Sequence, residues 1–309
     1  MKINHTIILI VIISIFGACT MPSSGSSTPN PFFSESSLYL KYPPFDKIKN
    51  EHYAPAFELG MKQHMQEIDS IALDQDLASF ENTILAMEKA GSLLDRVSTV
   101  FYALTSAHTN DEMEKVRSEM APKLSAHSDK ILLNDALFQR VNTLYDNRMD
   151  LGLDNESVRL IEKYHTSFIR AGAKLNAEQK ERLKAINSEI AVLQTNFSQN
   201  VLKEVNALAI VVDSKEKLEG LSESAIESAS NEAKSRGMEG KYVIALKNTS
   251  GQPSLSSLKN RELRERIHTT SLSRGSRGGE FDNREILTNV LRLRAEKAKL
   301  LGYENHAAY

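Results

Sequence analysis

One apolar stripe constrains this chain more than any other feature. Leu183, Ile186, Ile190, Leu193, Phe197, Val201 and Val205 follow one another at steps of 3, 4, 3, 4, 4 and 4 residues. An α-helix turns once in about 3.6 residues, so these side chains share one face for roughly six turns. A start signal precedes them. In "NAEQ", Asn176 can cap the first free N–H groups, and Gln179 can reach back to the Asn176 N–H. A single apolar face of that length has to be buried against other helices. It predicts a helical core, not a cofactor cradle.

The flanking sequence repeats the pattern at shorter length. Phe57, Met61, His64, Met65, Ile68 and Ile71 mark a helix over 52–73, with Pro55 tolerable in its first turn. Ser79 can cap a helix running to about Ala90, and further helices are predicted over 92–107, 111–131, 137–148 and 157–170. Pro122, inside the fourth of these, predicts a kink or a break. After the long helix the texture changes. "LAIVV" at 208–212 and "YVIAL" at 242–246 are short β-branched runs that predict two paired strands, with a helix over 222–236 between them. Helices are predicted again over 254–273 and 284–301, joined by the glycine-rich "SRGSRGGEFDN", with Gly302 placed to close the last. The expected fold is mainly α, a multi-helix body carrying a small two-stranded β element. No fixed-period repeat points to a solenoid.

Composition narrows the partners. With 38 basic and 40 acidic side chains, formal net charge −2, there is no global field for nucleic acid. The local run Lys259, Arg261, Arg264, Arg266, Arg274 and Arg277 is interleaved with Glu262, Glu265 and Glu280, as a solvated helix face would be. A single cysteine excludes an intramolecular disulfide and multi-cysteine zinc sites.

That cysteine has a context. Lys2 precedes an apolar run over 7–16, too short to span a bilayer but the length of a signal-peptide core. "FGAC" then resembles a bacterial lipobox, with Phe16 where Leu is usual, so Cys19 is the expected lipidation site. Residues 1–18 are read as a lipoprotein signal peptide, 19–38 as a flexible Ser/Pro/Gly tether and 39–309 as the helical body. The expected location is the cell envelope, lipid-anchored to a membrane and facing the periplasm or the outside.

Chemistry is harder to find. The histidines are His5, His52, His64, His108, His127, His165, His268 and His306, no two closer than twelve residues. There is no His-Glu-x-x-His pair of ligands, no Gly-x-Ser-x-Gly elbow and no phosphate loop. Each histidine reads as a satisfied or exposed side chain. No catalytic and no metal-binding residue is assigned.

Four stretches taken together resemble one family. They are "YPPFDKIKNEHYAPAFELGMKQHMQEI" (42–68), "FENTILAMEKAGSLLDRVSTVFYALTSAHTNDE" (80–112), "AGAKLNAEQKERLKAINSEIAVL" (171–193) with "NFSQNVL" (196–202), and "DNREILTNVLRLRAEKAKLLGYENHAAY" (282–309). The family is that of the zinc metallopeptidases thimet oligopeptidase, neurolysin and bacterial peptidyl-dipeptidase, with the first two stretches closest to the last. The resemblance implies that this is the N-terminal wall of a deep substrate channel. It also implies that a catalytic half carrying His-Glu-x-x-His and one zinc ion follows "LLGYENHAAY". The apolar end at Ala307, Ala308 and Tyr309 fits either an interrupted chain or a terminus packed back onto the body. On the first view the whole protein cleaves oligopeptides, releasing C-terminal dipeptides, and this chain is inactive without its other half. The alternative is a non-enzymatic helical lipoprotein that binds peptides or partners.

Overall fold

The computed structural model describes residues 29–246 and 252–309. Cys19, the signal segment and the first ten residues of the expected tether lie outside them. The rest of that tether, residues 29–38, is not free of the body. The Asn30 side chain accepts from the Phe32 N–H at 3.1 Å and donates to the His52 carbonyl at 2.8 Å, while Arg96 donates to the Phe32 carbonyl. Phe32 is buried against Tyr53. Among the described residues, packing against the body is already present at Asn30, because the Phe32 side chain finds a place in the core.

The architecture is mainly helical with one small antiparallel sheet, as the periodicity predicts. Helix α1 (Tyr53–Ala72) packs on both α3 (Ser92–Ala107) and α4 (Asp111–Leu132). Tyr53, Phe57 and Phe101 stack edge to face at the centre of this first core. Gly60 permits the close approach: a Cβ there would lie 2.9 Å from the Leu94 Cα. A second core joins the end of α1 to a π-helical turn (Phe80–Leu85), α2 (Ala86–Lys89), α5 (Asp135–Asn147) and α6 (Asn155–Ala171). Ser79 does cap this region, exchanging hydrogen bonds with Asn82, but the first turn after it is wider than an α-helix. Pro122 does not break α4, which runs through it.

Helix α7 (Ala177–Ala207) is the long element, and Asn176 and Gln179 form the expected reciprocal cap. It lies between α4 and α11 (Arg284–Leu300). Bonds from Arg182 to Glu296 and from Asn200 to Asn283 run α11 antiparallel to it. The stripe is buried only at its start. Leu183 and Ile186 are fully enclosed, whereas Ile190, Leu193, Phe197, Val201 and Val205 are half-covered. The third core holds β1 (Ile210–Val212) and β2 (Tyr242–Ile244), paired with Val211 opposite Val243, together with α8 (Glu223–Ser235). The single helix expected over 254–273 is two, α9 (Ser254–Ser257) and α10 (Arg261–Leu272). Leu258 is extended, the Lys259 N–H bonds to the Glu219 carbonyl, and Asn260 caps the second helix. Gly302, at φ +83°, closes α11, with the Tyr303 N–H on the Ala298 carbonyl. Among the described residues no helix is long and apolar enough to cross a membrane.

Candidate functional site

The histidines the sequence left scattered are partly brought together. His64 on α1 and His127 on α4 lie 63 residues apart, yet the Nδ1 of His64 is 3.0 Å from the Nε2 of His127. His127 is nearly enclosed. Burial first, then the neighbouring His64 and Lys130, lower its pKa to about 4. His64 is lowered as well by burial, partly offset by Glu67. The two rings are neutral partners of one hydrogen bond. His165 stacks on Tyr145 at 3.8 Å, the His52 Nδ1 accepts from the Lys49 N–H, and His108, His268 and His306 are exposed. Among the described residues no three His, Cys, Asp or Glu side chains gather where they could hold a metal ion.

The basic run on α10 also has local employment. Lys259 pairs with Glu219, the Arg264 guanidinium caps the Leu258 and Lys259 carbonyls, and Arg266 reaches the Val211 carbonyl. These are bonds within the third core's shell.

A more open constellation lies where α4, α6, α7 and α11 converge. A cleft of about 500 Å³ is lined by Ser128 and Asp129 from α4, Ser167 and Arg170 from α6, Asn187 and Gln194 from α7, Lys297 from α11, and Tyr309. Asp129 is buried. Its Oδ1 accepts from the Asn187 Nδ2 at 2.7 Å, and its Oδ2 has no hydrogen-bond partner. The other end of the Asn187 amide accepts from the Lys297 Nζ at 2.7 Å. Asn187 thus holds an acid and a base apart while bonding both. Desolvation raises the Asp129 carboxyl, offset in part by the Asn187 bond and by Lys297 and Lys184, and lowers the Lys297 ammonium, offset in part by Asp129. Arg170 donates to the Tyr309 carbonyl at 2.7 Å, and the Tyr309 hydroxyl returns a bond to the Arg170 carbonyl. The Tyr309 ring lies 5.2 Å from the Arg170 guanidinium and 5.9 Å from the Lys297 Nζ, within cation–π range of both.

Apart from Tyr309, at the apolar end, none of these residues was singled out by sequence. Asp129, Arg170, Asn187 and Lys297 are ordinary polar positions on amphipathic helices. Only the crossing of four helices makes them neighbours.

No family model matches the chain. Individual proteins do. The dipeptidyl carboxypeptidase of Escherichia coli is 40% identical over 283 residues, which cover 92% of this chain and 42% of that protein. The dipeptidyl carboxypeptidase of Salmonella typhimurium is 41% identical over 280 residues, covering 91% and 41%. Oligopeptidase A of Haemophilus influenzae is 28% identical over 284 residues, covering 91% and 41%. The chain thus spans about two-fifths of the length of these relatives, and nearly all of it is matched.

Proposed function

We propose that this chain is the amino-terminal portion of a zinc-dependent peptidyl-dipeptidase that removes dipeptides from the C-terminus of oligopeptides. The observation that carries the reading is the 40% identity, sustained over 92% of the chain, to a protein named for dipeptide removal. On this reading the zinc ligands lie in the part of the relatives' length that this chain does not span. One structural feature supports the proposal. The half-covered stripe of α7 is what a helical wall shows where another part of the polypeptide packs against it. On this reading the chain itself performs no bond cleavage. Its helices wall one side of the substrate channel and restrict entry to short peptides.

The test is to express the polypeptide that continues beyond Tyr309 and assay it on an unblocked tetrapeptide with and without a chelator. Chelator-sensitive release of C-terminal dipeptide is expected, with none from the 309-residue chain alone. A continuous polypeptide that releases no dipeptide with zinc supplied overturns the proposal. The proposal also places the protein in the cell envelope, anchored through a lipid on Cys19. Radioactive fatty acid should label the wild-type chain and leave Cys19→Ser unlabelled, and equal labelling of the two would remove the anchor.

A further inference from the structure

The segment that leads into α1 presents apolar side chains that the described residues leave open to water. Tyr39, Leu40 and Tyr42 are 85%, 77% and 63% exposed, and Phe33, Leu38 and Phe45 are each about half exposed. No other stretch of this length among the described residues exposes so many large apolar groups. The segment is held at both ends. Phe32 before it and Ile48 after it pack into the first core, and the Asn50 side chain donates to Asn110 and Glu112 at the start of α4. Between these anchors the Leu38 N–H donates to the Ser36 hydroxyl, Lys41 pairs with Glu35 at 2.7 Å, and the Tyr42 and Phe45 rings meet edge to face at 6.4 Å. The turn at its centre is strained. Leu40 and Lys41 stand at φ +52° and +59°, in the left-handed region that favours glycine, and no other non-glycine among the described residues does so. A strained turn that carries tyrosine and leucine side chains into water is unfavourable on both counts until another surface covers it.

The match to the Escherichia coli protein bears on what that surface is. It takes in 283 of 309 residues, so it starts no later than residue 27 and includes residues 33–45. The apolar turn thus lies in the part shared with a protein of which this chain spans only 42%. We infer, resting on the reading of this chain as the amino-terminal portion of a longer peptidase, that residues 33–45 form a clasp on which the polypeptide beyond Tyr309 docks. Phe33 and Leu38 also line an open groove of about 920 Å³ with Pro44 and Pro55, which gives the clasp a concave side for an apolar projection. Because both ends are already anchored, docking orders little additional chain. A lipid surface fits less well. Glu35, Asp46 and Glu51 alternate with Lys41, Lys47 and Lys49, so no cationic rim faces anionic headgroups. The clasp is supported by α1, α3 and the first turn of α4, apart from the half-covered face of α7. A second, separate contact limits the hinging between the two portions that a single contact permits.

The experiment is nitration by tetranitromethane, read by peptide mass spectrometry at Tyr39 and Tyr42, on the 309-residue chain and on the polypeptide that continues past Tyr309. Both tyrosines should react at least ~10-fold more slowly in the continuing polypeptide. A double substitution gives a second readout. Tyr39→Ser with Leu40→Asn, the asparagine being tolerant of the left-handed turn, should leave the urea midpoint of the 309-residue chain unchanged, because both side chains already face water. The same change should lower the midpoint of the continuing polypeptide. Equal nitration of the two forms, or midpoints that move alike, overturns the clasp. Protection that grows with the concentration of the 309-residue chain would assign the surface to a second copy. Protection of its Cys19→Ser variant by vesicles of phosphatidylethanolamine and phosphatidylglycerol would assign it to a lipid. Either result overturns docking of the polypeptide beyond Tyr309. Dipeptide release is a separate readout. A continuing polypeptide that shields both tyrosines but releases no dipeptide keeps the clasp and loses the peptidase reading, and one that releases dipeptide with both tyrosines fully reactive does the reverse.

Discussion

His127 shows how one residue can be plain in the sequence and opaque in its role. Its spacing from every other histidine speaks against a helical ligand pair. What spacing could not show was the partner 63 residues away on α1. That contact makes a pH prediction with a definite sign. The folded pKa of about 4 lies below the ordinary value of 6.5, so between those limits the unfolded chain binds a proton that the native protein refuses. Stability is then complete above pH 6.5, falls as pH drops through the window, and levels off near pH 4. The groups facing the ring are His64, hydrogen-bonded to it, and Lys130, with Glu67 acting on His64. Asp129, with its carboxyl raised, acts in the opposite sense at the acid end, so the informative quantity is a difference between variants. Urea unfolding at about pH 7 and about pH 4.5 should show His127→Gln losing about 2–3 kcal/mol less than wild type over that interval. Equal losses would mean that the ring is already protonated in the native state, or never buried.

At the scale of elements, local chemistry made much of the fold legible. The Asn176–Gln179 cap and the bounds of α1, α3 and α7 followed from periodicity and capping residues, since those signals lie within a few residues of the structure they specify. Asn176→Ala should therefore destabilise the protein by about 1 kcal/mol in chemical denaturation, and Asn176→Ser by much less. The division of residues 254–273 was not legible, because its cause is tertiary. The Lys259 N–H is taken by the Glu219 carbonyl from a distant loop, which pulls Leu258 to Asn260 out of helical geometry. The same junction depends on Gly220, which sits at φ +99° with the Ser257 carbonyl only 2.1 Å from where a Cβ would be. Gly220→Ala combines a left-handed backbone with a backbone clash and should lower stability by about 2 kcal/mol or more. A loss below about 0.5 kcal/mol would show that this loop yields freely and that the third core does not rely on it.

For the molecule as a whole, the sequence predicted a continuous buried stripe on α7, and the structure encloses only its first two positions. The reason is geometric. Past Ile186 the helix has α4 and α11 on its flanks, and polar groups tie it down there: Asn283 donates to the Phe197 carbonyl and Asn200 to the Asn283 side chain. The apolar face between those flanks is left half open. Helix α11 adds two exposed apolar side chains, Leu287 at 48% and Leu291 at 55% exposure. Apolar area of this kind on a two-helix layer binds solvatochromic dyes and drives association. The 309-residue chain should therefore raise the fluorescence of a hydrophobic dye in its native state, before any unfolding transition. Leu287→Glu with Leu291→Glu should cut that signal sharply while moving the unfolding free energy by less than about 0.5 kcal/mol, because both side chains already face solvent. The polypeptide continuing past Tyr309 should show the lower signal without any substitution if its remainder covers this layer. Dye fluorescence that is low in the 309-residue chain, or indifferent to the double substitution, would mean that the open face is not a docking surface. In that case the half-covered stripe of α7 would reflect only the polar bonds that hold it between α4 and α11.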